Sequence, residues 1–196
     1  MYTPPHYEAG EAQAIALIRQ FPFAVLITPG PEGLFTTHLP LILQEGPLVL
    51  RGHMARANQH WRFLEDADST VVFSGPHAYI SPAWYETAPA VPTWNYAAVH
   101  VRGRAQIGAD AVAILKESVA LFDTAGWVMD LPPAYDAKMR AGIVAFELPV
   151  AAMEAKLKLS QNRSAEDRAG VIAALQASPN LYDRELAALM AKECDG

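Results

Sequence analysis

Short apolar runs dominate the chain, and most of them alternate with polar residues or end at Gly and Pro, which is typical of β-strands. Such runs predict strands at residues 23–28, 34–43, 48–50, 69–74, 77–81, 93–107 and 143–148, and residues 150–159 are also strand-like. Pro40 lacks the N–H that a strand ladder needs, so its strand is expected at an edge or with a bulge. Gly75-Pro76 is expected to turn the chain between two strands. Irregular alternation in residues 93–107 predicts a bulge or burial on both faces.

Apolar residues three and four positions apart predict helices between the strands and after them. The helical segments are 8–20, 54–64, 111–123, 134–141, 165–177 and 181–193. Asp110 and Ser164 fit N-caps, and Ser164 with Asp167 forms a capping pattern. Strands and helices do not alternate as they do in βαβ units. We therefore expect a mainly β protein with peripheral helices, a mostly antiparallel barrel in one domain over residues 1–196 with C-terminal helices from about residue 164.

Composition narrows the class of protein. Hydrophobic residues make up 52% of the 196 residues and charged residues 18%, which predicts a folded chain with a sizeable core. The net charge of −6 excludes a generally basic surface, so strong sequence-specific DNA binding by this chain alone is not expected. The single cysteine, Cys194, excludes a disulfide within the chain. Because the first residues lack a secretory pattern and no apolar run approaches the ~18 residues of a membrane span, we expect a cytoplasmic protein with no membrane segment.

The segment Leu48 to Leu64, LVLRGHMARANQHWRFL, is expected to pass from a strand into a helix that begins at Met54. Four donor side chains mark this junction: Arg51, His53, Arg56 and Asn58. A helix N-terminus offers free N–H groups and a positive dipole end, and arginine adds a planar fork of donors, so the junction is a candidate phosphate site. In the alternative interpretation, which the spacing alone favours, Arg56 lies on a solvated helix face and His53 caps or packs.

An aromatic cluster surrounds the Pro-rich segment 82–92. Its members are Tyr79, Trp84, Tyr85, Trp94 and Tyr96. Flat rings would stack on a planar ligand, but Tyr and Trp also fill barrel ends and subunit interfaces, and this structural role is the more common one. Ser81, Thr93 and Asn95 lie in the same stretch and offer directional hydrogen bonds. Together with the high apolar content, the cluster predicts a homodimer with a large apolar interface.

The most basic segment is Lys156 to Arg163, KLKLSQNR. It is either a loop that binds an anion or a carbonyl group, or a solvated strand followed by a helix cap. His53 and His60 are seven residues apart, but no further ligand type accompanies them, so no metal site is expected. Serines and the cysteine form no nucleophile constellation.

Six stretches, in order along the chain, resemble one known family. They are MYTPPHY, TTHLPLIL, LRGHMARANQHW, VVFSGPHAYISPAWY, VPTWNYAAVHVRGR and KLSQNRSAEDRAGVIAAL. The resemblance, from Met1 to about Leu175, is to the PaiB-type FMN-binding family, whose members are commonly described as negative transcriptional regulators. This family is similar to the wider flavin-binding split-barrel group that includes the pyridoxamine-phosphate oxidases. The resemblance implies a six-stranded antiparallel split β-barrel, an obligate homodimer, and FMN at the dimer interface.

The resemblance also implies which residues bind the cofactor. Thr37 and His38 would lie beside the flavin ring. The residues expected at the FMN phosphate are His53, Ala55, Arg56 and Asn58. Those expected from the neighbouring subunit or the barrel rim are Ser81, Trp94 and Asn95. The residues expected to close over the cofactor are Lys158, Ser160, Gln161, Asn162 and Arg163. The loop ETAPA before Val91 is shorter than the family pattern, which leaves the substrate side of the pocket open.

Two functions from different classes follow from these features. The first is a flavin-sensing dimer that regulates transcription, directly or through a protein partner. The second is an FMN-dependent oxidoreductase acting on a small substrate, because FMN supplies the redox chemistry and the protein need only position the substrate. Haem binding or degradation, with His38, His77 or His100 as the ligand, is a further alternative on related split barrels. The fold alone does not choose among them.

Overall fold

The computed structural model describes residues 1–194, which form ten strands and five α-helices. The strands are β1 (Glu8–Ala9), β2 (Phe23–Gly30), β3 (Gly33–Pro40), β4 (Ile42–Gln44), β5 (Val49–Ala55), β6 (Ser69–Ile80), β7 (Thr93–Gly103), β8 (Gln106–Ile107), β9 (Ile143–Pro149) and β10 (Ala152–Lys158). The helices are α1 (Glu11–Gln20), α2 (Ala111–Phe122), α3 (Pro133–Ala141), α4 (Ala165–Gln176) and α5 (Leu181–Cys194). Short 3-10 turns lie at Pro5–Tyr7, Gln59–Phe63 and Pro82–Trp84. None of the helices described is long and apolar enough to cross a membrane.

The first of two compact units contains residues 1–17, residues 74–99 and the described residues from Glu154 onward. Its strands follow the order β1-β10-β7-β6, and β1 pairs antiparallel with β10 through Glu8 and Lys156. Helices α4 and α5 pack against each other in this unit. The buried apolar side chains of this unit include Leu17, Ile80, Val99, Leu157, Val171, Leu175 and Leu186. We expected one domain over the whole chain, and that assignment stays a prediction.

The second unit contains residues 18–73 and 100–153. Here β2 pairs antiparallel with β3 and with the first half of β6, and a four-stranded sheet has the order β4-β5-β9-β8. The buried apolar side chains of this unit include Leu26, Leu50, Leu64, Phe73, Ile114, Phe146 and Leu148. The edge position expected from Pro40 is confirmed, because β3 is the last strand of its sheet and ends at that proline.

Several helix boundaries agree with the sequence pattern. Asp110 caps α2 by accepting hydrogen bonds from the N–H groups of Val112 and Ala113 at 2.9 and 3.1 Å. Ser164 caps α4 by accepting from the N–H of Asp167 at 3.1 Å. Both caps satisfy donors that an α-helix leaves open at its start.

The predicted turn at Gly75-Pro76 is wrong, because β6 is one strand from Ser69 to Ile80. A Cβ atom on Gly75 would lie 3.0 Å from the Cβ of Ala97, so this glycine permits a close approach of neighbouring strands. The expected burial of both faces in residues 93–107 holds in part, because Tyr96, Ala98 and His100 lie between the fully buried residues of β7 and are half-buried rather than exposed. Along β7 the buried residues alternate strictly with more exposed ones, and they are Asn95, Ala97, Val99, Val101 and Gly103.

The helix expected over residues 54–64 is wrong as well. Strand β5 continues to Ala55, where Met54 is a buried strand residue, and only a five-residue 3-10 turn follows at Gln59–Phe63. Asn58 starts that turn, because its Oδ1 accepts from the N–H of His60 at 3.1 Å. At the start of the chain, residues 8 and 9 form a strand, and the first helix begins at Glu11.

Candidate functional site

In the second unit, a network of three polar side chains joins β3 to the 3-10 turn. Asn58 donates from Nδ2 to Thr37 Oγ1 at 3.0 Å, and the same hydroxyl lies 2.8 Å from Nδ1 of His60. His60 is only 1% exposed, and burial lowers its pKa, so the neutral imidazole is favoured. The Thr37 hydroxyl can accept from both Asn58 and His60 or donate to His60 Nδ1, so the direction of the second hydrogen bond depends on the tautomer of His60. Thr37 and Asn58 were expected at the site, but His60 was not.

Arg56, expected at the phosphate, is held by the protein backbone. Its Nε donates to the carbonyl of Ala141 and its Nη2 to that of Ile143, both at 2.8 Å. The helix start that motivated the phosphate site is absent from residues 54–57, so no helix dipole adds to this arginine. Ala55, the last residue of β5, and Arg56, in the turn after it, are both exposed, and the Nη1 group of Arg56 has no protein acceptor within the described residues.

Two histidines expected near the cofactor do not join this network. His38 is exposed on the edge strand β3 and stacks on Phe23 with 6.3 Å between the ring centroids. His53 is half-buried on β5, and burial lowers its pKa.

In the first unit, an exposed aromatic face lies on β6 and β7, and we define it as His77, Tyr79, Trp94 and Tyr182. Trp94 is 54% exposed and Tyr79 48%, and their rings meet edge-to-face at 6.2 Å. His77 stacks on Tyr182 at 5.7 Å. The aromatic cluster predicted from the sequence includes Tyr79 and Trp94 but not Tyr182, which lies far away in the chain on α5. Ser81, also expected here, caps the 3-10 turn by accepting from the N–H of Ala83 at 3.2 Å.

A separate cavity of about 150 Å³ lies within the first unit. Its lining residues are Tyr7, Tyr85, Val91, Thr93, Asn95, Lys158, Ser160, Asn162 and Arg163. Lys158 enters it from the end of β10 and donates from Nζ to the Thr93 hydroxyl and, at 2.6 Å, to the carbonyl of Trp94. Burial, assisted by the nearby charge of Lys156, lowers the pKa of Lys158. The cavity therefore gathers four of the eight residues in the segment that the sequence identified as its most basic.

The other side chains of the cavity are placed by packing and by one strained residue. Arg163 lies over the ring of Tyr85 with its guanidinium carbon 4.3 Å from the ring centroid. Asn95 is fully buried and donates from Nδ2 to Ser160 Oγ at 2.9 Å, while its Oδ1 has no partner within the described residues. Ser160 has φ of 65°, in the left-handed region that a residue with a Cβ rarely adopts.

Three further hydrogen bonds lie in or next to the cavity. Tyr7 donates from its hydroxyl to Asn162 Oδ1 at 3.0 Å, which ties the start of the chain to the cavity. Gln161 lies outside the cavity lining. It closes the turn after β10 by donating to the carbonyl of Leu157 at 2.5 Å and accepting from the N–H of Leu159 at 2.7 Å. Of the lining residues, Tyr7 and Val91 had no signal in the sequence, whereas Thr93 and Tyr85 had been identified as hydrogen-bonding and aromatic candidates.

Asp167 fastens the loop that supplies Tyr85. The buried carboxylate accepts from the N–H groups of Glu86 and Thr87 at 2.8 and 3.0 Å, and from the Thr87 hydroxyl at 2.6 Å. These hydrogen bonds, that of the Thr87 hydroxyl first, lower the pKa of Asp167. Gly170 lies under the same loop, where a Cβ atom would be 2.3 Å from the carbonyl oxygen of Trp84. Loop and helix α4 are therefore in direct contact.

Metal chemistry has no visible support in the part of the chain that the structure describes. No group of three His, Cys, Asp or Glu side chains in residues 1–194 is arranged to hold a metal ion.

Comparisons with known proteins agree on a flavin-binding family. Residues 1–152 match the family described as "Putative FMN-binding domain". The chain is 34% identical to the protease synthase and sporulation protein PAI 2 of Bacillus subtilis, over 97% of this chain and 96% of that protein.

Two solved structures show the fold. The flavocytochrome Anf3 from Azotobacter vinelandii superposes with a TM-score of 0.63 at 20% identity, over 82% of this chain and 73% of that one. The FAD and haem binding protein from Mycobacterium smegmatis gives a TM-score of 0.60 at 15% identity, over 86% and 80% of the two chains. The antiparallel strands and peripheral helices are thus those of a flavin-binding split barrel, as the sequence predicted.

The chemistry of the residues present fits FMN. Exposed Trp94 and Tyr79 offer flat apolar rings to an isoalloxazine, and exposed Arg56 offers a cationic donor to a phosphate. Thr37 and Asn58 add neutral polar groups of the kind that orient a flavin ring. The chain therefore belongs to this FMN-binding split-barrel family, and FMN is its cofactor.

Proposed function

We propose that this chain is a flavin-binding regulator of the PaiB type, a cytoplasmic homodimer that holds FMN at its subunit interface and transmits the state of the flavin to a protein partner. The observation that carries the proposal is the similarity to the Bacillus subtilis sporulation protein over 97% of this chain. That similarity extends beyond the domain common to the family, residues 1–152, into the C-terminal helices.

Within this proposal, FMN lies between two copies of the chain. Ala55 at the end of β5 and Arg56 in the turn after it bind the phosphate, and Thr37 and His38 on the edge strand lie beside the ring. Trp94 of the aromatic face stacks on the flavin, and the rest of this face is buried against the second copy of the chain. Three of its large side chains, Tyr79, Trp94 and Tyr182, are each about half exposed, and obligate homodimer interfaces are enriched in such residues.

Charge supports a protein partner rather than DNA. The chain carries a net charge of −6, and α4 and α5 each hold more acidic than basic residues. Such helices are repelled by phosphates, whereas a recognition helix in the major groove needs basic and amide side chains. A gel shift with nanomolar affinity for one promoter sequence at physiological salt would contradict this part of the proposal.

Arg56→Ala tests the proposed phosphate contact. A charge-assisted hydrogen bond to phosphate is worth roughly 1.5 to 3 kcal/mol, so FMN binding should weaken about 10- to 100-fold. Riboflavin lacks the phosphate, so its binding should hardly change. Flavin fluorescence titration measures both, and Arg62→Ala is the matched control, because Arg62 is an exposed arginine that packs on the Trp61 ring. Equal losses for FMN and riboflavin would show damage to the fold, and no loss for FMN would remove Arg56 from the site.

Trp94→Glu tests the subunit interface. A charge in the centre of the aromatic face should prevent pairing, because an apolar interface cannot solvate it. Sedimentation should then give a monomer near 21.3 kDa, with flavin lost together with the dimer. A wild-type protein that sediments as a monomer at micromolar concentration would contradict both the dimer and the shared cofactor site. Sustained turnover of a reductant by the FMN-loaded protein would instead favour the oxidoreductase.

A further inference from the structure

The cavity of the first unit is electrostatically unusual for this chain. Its lining contains two cations, Lys158 and Arg163, and no carboxylate, although the chain as a whole carries a net charge of −6. Two basic groups in a small cavity repel each other unless an anion joins them, and the acid that attracts Arg163, Asp167, lies outside the lining and already accepts three hydrogen bonds. The C-terminal segment that holds both cations lies after residue 152, where the match to the FMN-binding domain ends.

Both cations have donors left for a ligand. Lys158 Nζ carries three hydrogens, and the Thr93 hydroxyl and the Trp94 carbonyl account for two of them. The guanidinium of Arg163 makes no hydrogen bond or ion pair with any residue in the described part of the chain, and its stacking on Tyr85 holds it flat. A flat guanidinium beside an ammonium is suited to the planar oxygen pair of a carboxylate.

Lys158 and Arg163 need an acceptor from the ligand, whereas Asn95 needs a donor. Its Oδ1 is a fully buried acceptor with no partner within the described residues, and Asn95 is one of the residues that line the cavity. Buried acceptors are nearly always satisfied, so the ligand should bring an N–H or O–H group to it. An ammonium group would be repelled by Lys158 and Arg163, which leaves a neutral hydroxyl as the better donor.

Size limits the ligand further. About 150 Å³ is well below the roughly 300 Å³ at which pockets for drug-sized ligands begin, so a flavin ring does not fit, whereas a few non-hydrogen atoms do. We propose that this cavity is a binding site for a small hydroxycarboxylate, with the carboxylate between Lys158 and Arg163 and the hydroxyl on Asn95 Oδ1. The proposal does not depend on the regulatory function, but it requires that FMN lies outside this cavity.

Titration of the FMN-loaded protein with glycolate, followed by NMR chemical shifts, tests the site. We expect glycolate to bind at least 10-fold more tightly than acetate, which lacks the hydroxyl, and more tightly than glycine, which carries an ammonium group. Lys158→Met and Arg163→Gln should each weaken glycolate binding at least 10-fold. Lys192→Met is the matched control, because Lys192 is an exposed lysine on α5 outside the cavity, and it should leave binding unchanged.

Several outcomes would overturn the proposal. Equal glycolate binding in wild type, Lys158→Met and Arg163→Gln would exclude the cavity. Equal binding of acetate and glycolate would exclude the hydroxyl contact, and inorganic phosphate binding in place of glycolate would exclude a carboxylate ligand. Glycolate or phosphate binding that appears only in FMN-free protein would show that the cavity receives part of the flavin. Because FMN content is measured separately by absorbance, none of these results depends on the regulatory proposal.

Discussion

Arg56 in the second unit and Arg163 in the first unit lie in segments that look alike in sequence, yet the structure uses them differently. Both stand in a short polar stretch after a strand, and both were expected to contact the cofactor. Arg56 donates to two backbone carbonyls, at Ala141 and Ile143. Arg163 only stacks on a tyrosine and keeps its donors. Whether an arginine can bind an anion therefore depends on whether backbone carbonyl groups already accept from it. The local sequence does not reveal these carbonyl groups.

A third arginine, Arg51, forms ion pairs that are expected to contribute to the stability of the fold. Arg51 is buried, and its guanidinium pairs with Glu117 at 2.5 Å and Glu147 at 3.0 Å. Arg51→Met should lower the free energy of unfolding by about 2 to 3 kcal/mol, because two carboxylates lose their partner, although both are partly solvated. Arg104→Met, which removes an exposed pair with Asp68, should cost less than about 1 kcal/mol. Urea denaturation measures both, and equal losses would contradict this ranking.

Arg56 and Arg163 should also differ in how much each contributes to the free energy of unfolding. Arg56→Ala removes two hydrogen bonds from an exposed guanidinium to the backbone and should cost about 1 kcal/mol. Arg163→Ala removes only the stacking on Tyr85 and should cost roughly half of that or less. The same urea measurement applies. A larger loss for Arg163→Ala than for Arg56→Ala would mean that Arg163 is already committed to the fold.

The smallest expected effect is local and depends on pH. The pKa of Asp167 is lowered in the folded protein, so its contribution to stability is complete above the unfolded pKa of a carboxyl. That contribution is lost as the pH falls through the lowered folded pKa. Hydrogen exchange at the amides of Glu86 and Thr87 should therefore accelerate, relative to the intrinsic rate, only in acid.

Asp167→Ala should produce that faster exchange at neutral pH, because the two amides lose their acceptor. The matched control is Glu166→Ala, the exposed neighbouring acid, which should leave both amides protected. Protection that survives in Asp167→Ala would show that the loop is held by packing alone.

The sequence predicted the fold class and the C-terminal helices because their signals are local. Caps such as Asp110 and Ser164 lie within a few residues of the groups that they satisfy. The failures concern long-range contacts. Residues 54–57 have a helical pattern but stay in a strand and a turn, where the partners of Arg56 lie 85 and 87 positions away. The pair Gly75-Pro76 is typical of a turn, but Gly75 lies within a strand, where its missing Cβ lets Ala97 of the neighbouring strand approach closely.

In the candidate site too, local sequence features were predicted and long-range contacts were not. Most side chains of the cavity were identified from the KLKLSQNR segment and the aromatic stretch, because both are unusual in composition. Tyr7 was not, since its contact with Asn162 spans 155 positions and no local feature marks it. Whether a buried atom such as Asn95 Oδ1 finds a partner depends on the packed structure and has no counterpart in a sequence pattern.

Gly170 has a consequence for how quickly a ligand binds. A glycine inside a helix costs about 1 kcal/mol relative to alanine, and here it lets the carbonyl of Trp84 rest on α4. The loop that carries Tyr85 is thus already packed on α4 before a ligand binds. Association with the cavity should then show a single phase, with a rate that grows in proportion to ligand concentration and reaches no plateau set by loop closure.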